Sequence, residues 1–301
     1  MDRLHLMSVF VAVVDAGGFA RAARALGVSP PAVTRAIAEL ETRLRARLLT
    51  RTTRVVRVTE IGARYVEDCR RILADADEAD ESVGGAHATP RGRVVVTAPT
   101  LFGRIHVTPI VTEYLARYPE TLVTCWFVDR VVNLVEEGAD VAIRIGPLPD
   151  SSVQAIRVGG VRRVLCASPA YLKAHGMPRQ PADLARHSII SAGGVTPAPE
   201  WRFTAAGRTH SVRLVPRLAT TTNDAAIVAA LSGFGLARLL SYQVAEHLKK
   251  GELKAVFASY DREPIPVHVV HREGRHASRK VRAFLDLAIE RLRALPAIAR
   301  A

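Results

Sequence analysis

The sequence predicts an α-rich head containing a winged helix-turn-helix, one long linker helix, and a larger C-terminal α/β domain. Three observations carry this. Apolar residues recur at three- and four-residue spacing through the first 44 positions, interrupted at glycines. Residues 43–57 then hold six arginines and no acid. From residue 92 onward, strand-like runs alternate with helical ones, the pattern of an α/β sheet with parallel strands.

Leu4, Met7, Phe10, Val11 and Val14 form one stripe on a helix over 3–16, which Gly17-Gly18 terminates. Phe19, Ala22, Ala23 and Leu26 repeat the pattern over 19–26, ended by Gly27. Ser29 then caps a third helix over 30–44, with Pro30 and Pro31 in its first turn. That helix buries Val33, Ile37, Leu40 and Leu44 and leaves Pro30, Pro31, Thr34, Arg35, Ala38 and Glu41 on its other face. Two helices across a tight glycine turn make a helix-turn-helix.

Thr52-Thr53-Arg54 separates Leu48-Leu49 from the β-prone run 55–58, so a short hairpin, the wing, is expected there. A reader of duplex DNA needs cations to displace counterions and a narrow element whose side chains reach base edges in the major groove. Residues 1–58 offer both; the alternative is a solvated basic face or a helix-turn-helix used for protein contacts.

Residues 59–84 form the linker helix, with Thr59 as its cap. Tyr65, Cys69, Ile72, Ala76, Ala79 and Val83 alternate by four and three, a heptad seam. The seam either pairs with its copy in a second subunit, giving a homodimer, or packs against its own chain. Glu67, Asp68, Asp75, Asp77, Glu78, Asp80 and Glu81 oppose DNA contact along this helix. Residues 85–91, with their glycines and Pro90, read as a hinge.

In the remaining 92–301, strands are expected over 93–98, 122–128, 141–145, 164–167, 212–221, 235–240 and 266–270. Helices are expected over 105–118, 131–137, 169–175, 224–231, 243–249 and 278–295. Ligands of such open sheets bind beyond the carboxyl ends of strands. Four turns satisfy that rule: 99–103, 128–130, 144–146 and 221–224.

A length of 301 residues suits about two domains at ~150 residues each. Composition excludes low-complexity and collagen-like classes, at 49% hydrophobic and 24% charged. The apolar stretch 4–14 is about half of the ~20 residues a membrane span needs, so neither an anchor nor a signal peptide is expected. The formal charge of +13 is concentrated in the wrong half for a simple nucleic-acid argument: +2 over residues 1–91 and +11 over 92–301. Cys69, Cys125 and Cys166 are odd in number and set among apolar residues, which suits buried free thiols and a cytoplasmic protein. His268 and His271 face opposite sides of a strand, and no metal, P-loop or serine-nucleophile motif is present. No cofactor, metal or catalytic residue is expected.

The head residues resemble the LysR-type transcriptional regulators. The similarity is carried by Phe19, Ala22-Ala23, Leu26, the run Val28-Ser29-Pro30-Pro31-Ala32-Val33-Thr34-Arg35, Ile37, Leu40-Glu41, Leu44, Leu48-Leu49, Arg51-Thr52-Thr53-Arg54 and Val58-Thr59-Glu60-Ile61-Gly62. It extends over essentially the whole chain. Pro30 stands where the family commonly has Gln. Arg45 stands where it usually has the Gly that closes the recognition helix, so that turn must tolerate a side chain or move, and Arg45 offers a phosphate contact instead.

The resemblance implies a winged helix, a dimerising linker helix and a two-lobed domain similar to periplasmic binding proteins, with lobe I over about 92–163 and 267–301 and lobe II over about 164–266. It implies a regulator that binds double-stranded promoter DNA, responds to a small-molecule effector or co-inducer between the lobes, and assembles as a homotetramer, with RNA polymerase a partner the resemblance allows. DNA contacts would come from Ser29, Pro31, Thr34 and Arg35, with Arg51 and Arg54 at the wing; Arg21 and Arg24 are added as backbone contacts. Effector contacts would come from Pro99, Thr100, Leu101, Asp129, Arg144, Thr222 and Asn223. The basic C-terminal half and Arg144 suggest an anionic effector, unless Arg144 pairs with Asp129. Trp201 either covers the cleft or is a core or rim tryptophan. The alternative function is a small-molecule binding protein or enzyme of α/β fold with a non-regulatory basic head.

Overall fold

The structure, a computed structural model, describes residues 2–51, 56–83, 89–130, 132–134, 137–148, 154–192, 200–205, 207–261, 263–272 and 277–299. Two compact units meet in sequence at residues 88 and 89.

The first unit starts with α1 (Arg3–Ala16), α2 (Phe19–Leu26) and α3 (Pro30–Leu44), as the periodicity predicts. Leu6, Phe10, Val13, Ala22, Val33, Ile37 and Leu40 close its core. Leu44 is only half-buried, and Ala36 is the further core residue on α3. Ser29 sits at the N-cap, yet its side chain makes no capping bond. Pro31 has no N–H to offer, and the Ala32 N–H is taken by the Ser29 carbonyl at 2.9 Å.

α1 and α2 end on left-handed glycines, Gly17 and Gly27, at φ 63° and 65°, whereas α3 ends on Arg45 at φ 53°. The turn therefore keeps its geometry and tolerates a side chain where the left-handed region disfavours one by roughly 1–2 kcal/mol. Arg45→Gly is expected to raise the stability of the full chain by about 1 kcal/mol, read as a higher urea midpoint with an unchanged slope; an unchanged midpoint would show that the Arg45 side chain compensates for the strain.

The wing is an antiparallel pair, β1 (Leu49–Arg51) and β2 (Val56–Val58), with Leu49 opposite Val58. Its predicted tip, Thr52-Thr53-Arg54, lies outside the described residues. Glu41, expected on the exposed face of α3, turns inward instead. Its Oε1 accepts from the Leu48 N–H at 2.8 Å and the Leu49 N–H at 3.1 Å, so the end of the recognition helix holds the start of the wing.

α4 (Glu60–Val83) follows, with the Thr59 hydroxyl accepting from the Gly62 N–H at 3.0 Å. The first part of the heptad seam packs on its own chain: Cys69 is fully buried, and Tyr65 and Ile72 join the same core. The Tyr65 ring lies 6.0 Å from that of Phe10. Ala76 is half-buried, and the side chains of Ala79 and Val83 lie outside the described residues.

Among its described residues the second unit contains two five-stranded sheets. In the first, β3 (Gly92–Ala98) lies parallel to both β4 (Thr121–Phe127) and β5 (Val141–Ile145). Between β3 and β4 run α5 (Thr100–Phe102), a π-helical stretch Gly103–Val107 and α6 (Thr108–Arg117), so the helix starts earlier than position 105. The described residues of the expected helix over 131–137 are irregular at Val132 and Asn133 and in turns at Leu134 and Glu137, with one helix-like bond from the Glu137 N–H to the Asn133 carbonyl. β6 (Gln154–Val161) pairs antiparallel with the late strand β14 (Ile265–His271), which itself lies antiparallel to β5.

The second sheet is formed by β7 (Arg163–Ala167), β8 (Ile189–Ala192), β11 (Leu218–Thr220), β12 (Leu236–Leu240) and β13 (Lys254–Val256), in the order 11-8-12-7-13. A hairpin of β9 (Glu200–Ala205) and β10 (Arg208–Arg213) is separate from it, so the single strand expected over 212–221 is in fact two. Both sheets are mixed rather than parallel. Each inserts a strand reached by crossing between lobes, and those strands enter antiparallel.

α7 (Pro169–His175), α8 (Asn223–Leu231) and α9 (Ser241–Lys249) cover the second sheet. α10 (Arg279–Arg293) packs beside α6, where Arg291 holds the Glu113 carboxyl down to about 2, and α11 (Pro296–Ala299) follows. The chain first crosses between sheets at Arg162. There Ser241 donates its N–H to the Arg162 carbonyl at 2.7 Å and accepts the Arg162 N–H on Oγ at 3.1 Å. A proline at 241 could not donate the first of these bonds. Cys166 is buried as expected; Cys125 is exposed, because β4 is the edge strand of its sheet. Among the described residues no helix is long and apolar enough to cross a membrane.

Candidate nucleic-acid interface and ligand cleft

In the first unit, α3 presents Ser29, Pro31, Thr34 and Arg35 to solvent while its opposite face closes the core. Thr34 donates its hydroxyl proton to the Pro30 carbonyl at 3.1 Å, which leaves its oxygen lone pairs outward as acceptors. Arg35 and Arg24 are exposed and have no hydrogen-bond or ion-pair partner among the described residues. Arg21 is exposed but already donates to the Gly17 carbonyl at 2.9 Å, so part of its guanidinium serves the turn between α1 and α2. Arg51 is placed by the β1 backbone register opposite Val56, and Arg54 lies outside the described residues.

In the second unit, the carboxyl ends of β3, β4, β5, β8 and β12 face a cavity of about 920 Å³. Four of the sequence-nominated effector residues line it: Pro99, Asp129, Arg144 and Asn223. Thr100, Leu101 and Thr222 are not among the lining residues described. Leu101 is buried in the core at 2% exposure, and Thr222 caps α8 by accepting from the Ala225 N–H. Thr100 offers its backbone N–H to Asp129 Oδ1 at 2.9 Å and its hydroxyl to the Phe127 carbonyl at 3.3 Å.

That last arrangement decides what Asp129 and Arg144 do. The Asp129 carboxylate occupies the positive end of the helix that starts at Thr100, where negative charge is favoured. It is not paired with Arg144. The Arg144 guanidinium instead donates to the Val132 carbonyl and has no carboxylate in ion-pair contact among the described residues. Desolvation lowers its pKa against the pull of Glu137, without threatening its charge.

The other lining residues were not nominated from sequence. They include Arg163, Glu200, Arg202, Arg238, Tyr242 and Asp261. Arg238 and Asp261 form an ion pair with side chains only 12% and 15% exposed. Arg238 also donates to the Arg202 carbonyl and lies 4.6 Å from the Phe203 ring centroid. Trp201 meets both of its alternatives: at 8% exposure it packs against Phe203, and it also lines the cavity. On one side the lobes touch through Phe102 and Tyr242, 5.1 Å apart edge to face, and through Arg104 and Asp224 at 2.8 Å. For Arg163 the adjacent Arg162 was the only local signal; nothing local marks Arg202, Asp261 or Tyr242.

Comparison with known proteins agrees with both units. Residues 4–63 match the family model described as bacterial regulatory helix-turn-helix protein, lysR family, and residues 87–293 match LysR substrate binding domain. An HTH-type transcriptional repressor of Pseudomonas aeruginosa is 34% identical over 96% of this chain and 92% of its own. The HTH-type transcriptional activator AaeR of Escherichia coli is 32% identical over 95% and 93%. Among solved structures, the LysR-type regulator CrgA of Neisseria meningitidis is 29% identical, covers 96% of this chain and 98% of its own, and superposes with a TM-score of 0.62. The full-length virulence activator AphB of Vibrio cholerae is 26% identical over 96% and 99%, also at 0.62. With a helix-turn-helix head and an effector-binding α/β domain both accounted for, this chain belongs to the LysR family of transcriptional regulators.

Proposed function

We propose that the chain binds promoter DNA by inserting α3 into the major groove, with Ser29, Pro31, Thr34 and Arg35 at base edges, Arg51 and Arg54 at the wing, and Arg21 and Arg24 on the backbone. The observation that carries this reading is the outward face of α3, on which Arg35 has no partner among the described residues. The cavity beyond the strand ends takes a small anionic effector, with Pro99, Asp129, Arg144 and Asn223 in contact and Thr100 and Thr222 organising the adjacent helix ends. The protein works in the cytoplasm as a homodimer through the distal part of α4 and as a homotetramer, without cofactor or turnover, and meets RNA polymerase at the promoter. Effector binding closes the lobes and changes the spacing between half-sites that the heads present.

The test is selection of bound fragments from random DNA by the purified protein at about 50 and about 200 mM salt. Recovery of an inverted repeat with half-sites about one helical turn apart is the expected outcome. Absence of any sequence preference at the lower salt would overturn the base-reading role of α3. Arg35→Ala is expected to cost about 1–3 kcal/mol at the selected site and little on random DNA, measured by titration of both DNAs; an equal loss on both would make Arg35 a phosphate contact.

A further inference from the structure

The charges around the cavity do not balance, and the imbalance has a location. Among the described residues, five arginines line it, at 130, 144, 163, 202 and 238, against three acids, at 129, 200 and 261. Three of the arginines are paired: Arg130 with Glu137 at 2.6 Å, Arg202 with Glu200 at 3.2 Å, and Arg238 with Asp261. Asp129 is held by the Thr100 N–H. Arg144 and Arg163 remain. Arg144 gives one bond to a carbonyl, and Arg163 has no hydrogen-bond or ion-pair partner among the described residues.

These two guanidiniums stand on opposite walls. Arg144 comes from β5 of the first sheet and Arg163 from the first residue of β7 in the second. Each is a planar donor fork suited to a bidentate acidic group. Without a ligand neither guanidinium has a counter-charge in ion-pair contact among the described residues; an anionic group on each supplies one. A ligand shifts an equilibrium between open and closed lobes only through its preference for one state, and two separate acidic groups supply that preference where one does not.

We propose that the cleft ligand is a small dianion of the dicarboxylate type, one acidic group held by Arg144 and the other by Arg163, so that it bridges the lobes. This rests on reading the cavity as the effector site. Apolar residues that line the same cavity, Val128, Ile145, Leu239, Leu240 and Trp201, provide contact for a hydrocarbon spacer.

The test uses the full chain and two matched probe series, terephthalate, benzoate and benzamide, and glutarate, butyrate and butyramide, with binding read by calorimetry. In at least one series the dianion is expected to bind about tenfold or more tightly than its monoanion. Arg144→Gln and Arg163→Gln are each expected to remove that preference, and Arg163→Gln to do so with an unchanged urea midpoint, because its guanidinium has no partner among the described residues to abandon. No advantage of a dianion in either series, or an advantage that survives either substitution, overturns the proposal. A monoanion or neutral probe that binds in the cleft as tightly as its dianion and alters DNA binding would end the dianion assignment while leaving the effector reading intact. Loss of sequence-selective DNA binding would instead strike that earlier reading, whatever the calorimetry gives.

Discussion

Gly62→Ala is expected to destabilise the head by about 3 kcal/mol and to abolish DNA binding at temperatures where the wild type retains it. A Cβ at position 62 would stand 2.2 Å from the Leu48 carbonyl oxygen and 2.9 Å from Val58 Cγ1. The carbonyl cannot retreat cheaply. It accepts the Thr59 N–H at 2.9 Å, while Glu41 holds the Leu48 N–H from the other side. The glycine is therefore required by space and not by a left-handed backbone, and the clash falls where recognition helix, wing and α4 meet. Thermal unfolding measured alongside DNA binding checks this. An unaltered melting profile would mean that α4 shifts away from the wing at little cost.

Asp261→Ala carries the second large effect, a loss of roughly 3–5 kcal/mol from the effector domain, because removing one member of a buried pair strands the other. Arg238 would keep its burial, its carbonyl partner on Arg202 and its place over Phe203, with no counter-charge. Asp261 also accepts the Thr204 N–H at 3.1 Å and sits at φ 50°, a conformation that Asn tolerates better than Ala. Asp261→Asn is thus expected to lose less than Asp261→Ala in guanidinium unfolding of the full chain. Equal losses would assign the effect to charge alone, and a negligible loss in both would show that Arg238 rehydrates on the cavity side.

Where the relevant signal is local, the sequence is legible. Helices over 3–16, 19–26 and 30–44 are set by apolar spacing within a window of a few turns and bounded by the residues just past each last turn. The wing strands and the Thr59 cap are read the same way. The strands that escape are of a different kind. β10 is mainly polar, β13 is three residues long, and β6 has Gly159 and Gly160 within it, so none of these three carries alternation strong enough to identify it; β9 does alternate, through Trp201 and Phe203, but over only six residues. The expected helix over 131–137 shows the opposite failure, an apolar run whose described residues are irregular or in turns.

The site divides along the same line. The rule that ligands lie beyond strand ends places Pro99, Asp129, Arg144 and Asn223 on the cavity, since strand ends are themselves local features. It says nothing of Arg163, Arg202, Arg238, Tyr242 or Asp261, which reach the same space through the second lobe.

By itself, then, the sequence determined the family, the order of the units, the face of α3 turned to solvent and the turns that meet at the cleft. Only the tertiary structure decided which charges are spent and which are left over. Asp129 caps a helix instead of meeting Arg144, Glu41 turns in to hold the wing, and Arg238 finds Asp261 across 23 residues of chain. The physical reason is range: periodicity is written by neighbours within a turn or two, whereas the partner of a charge depends on the few ångströms that folding imposes between residues far apart in the chain.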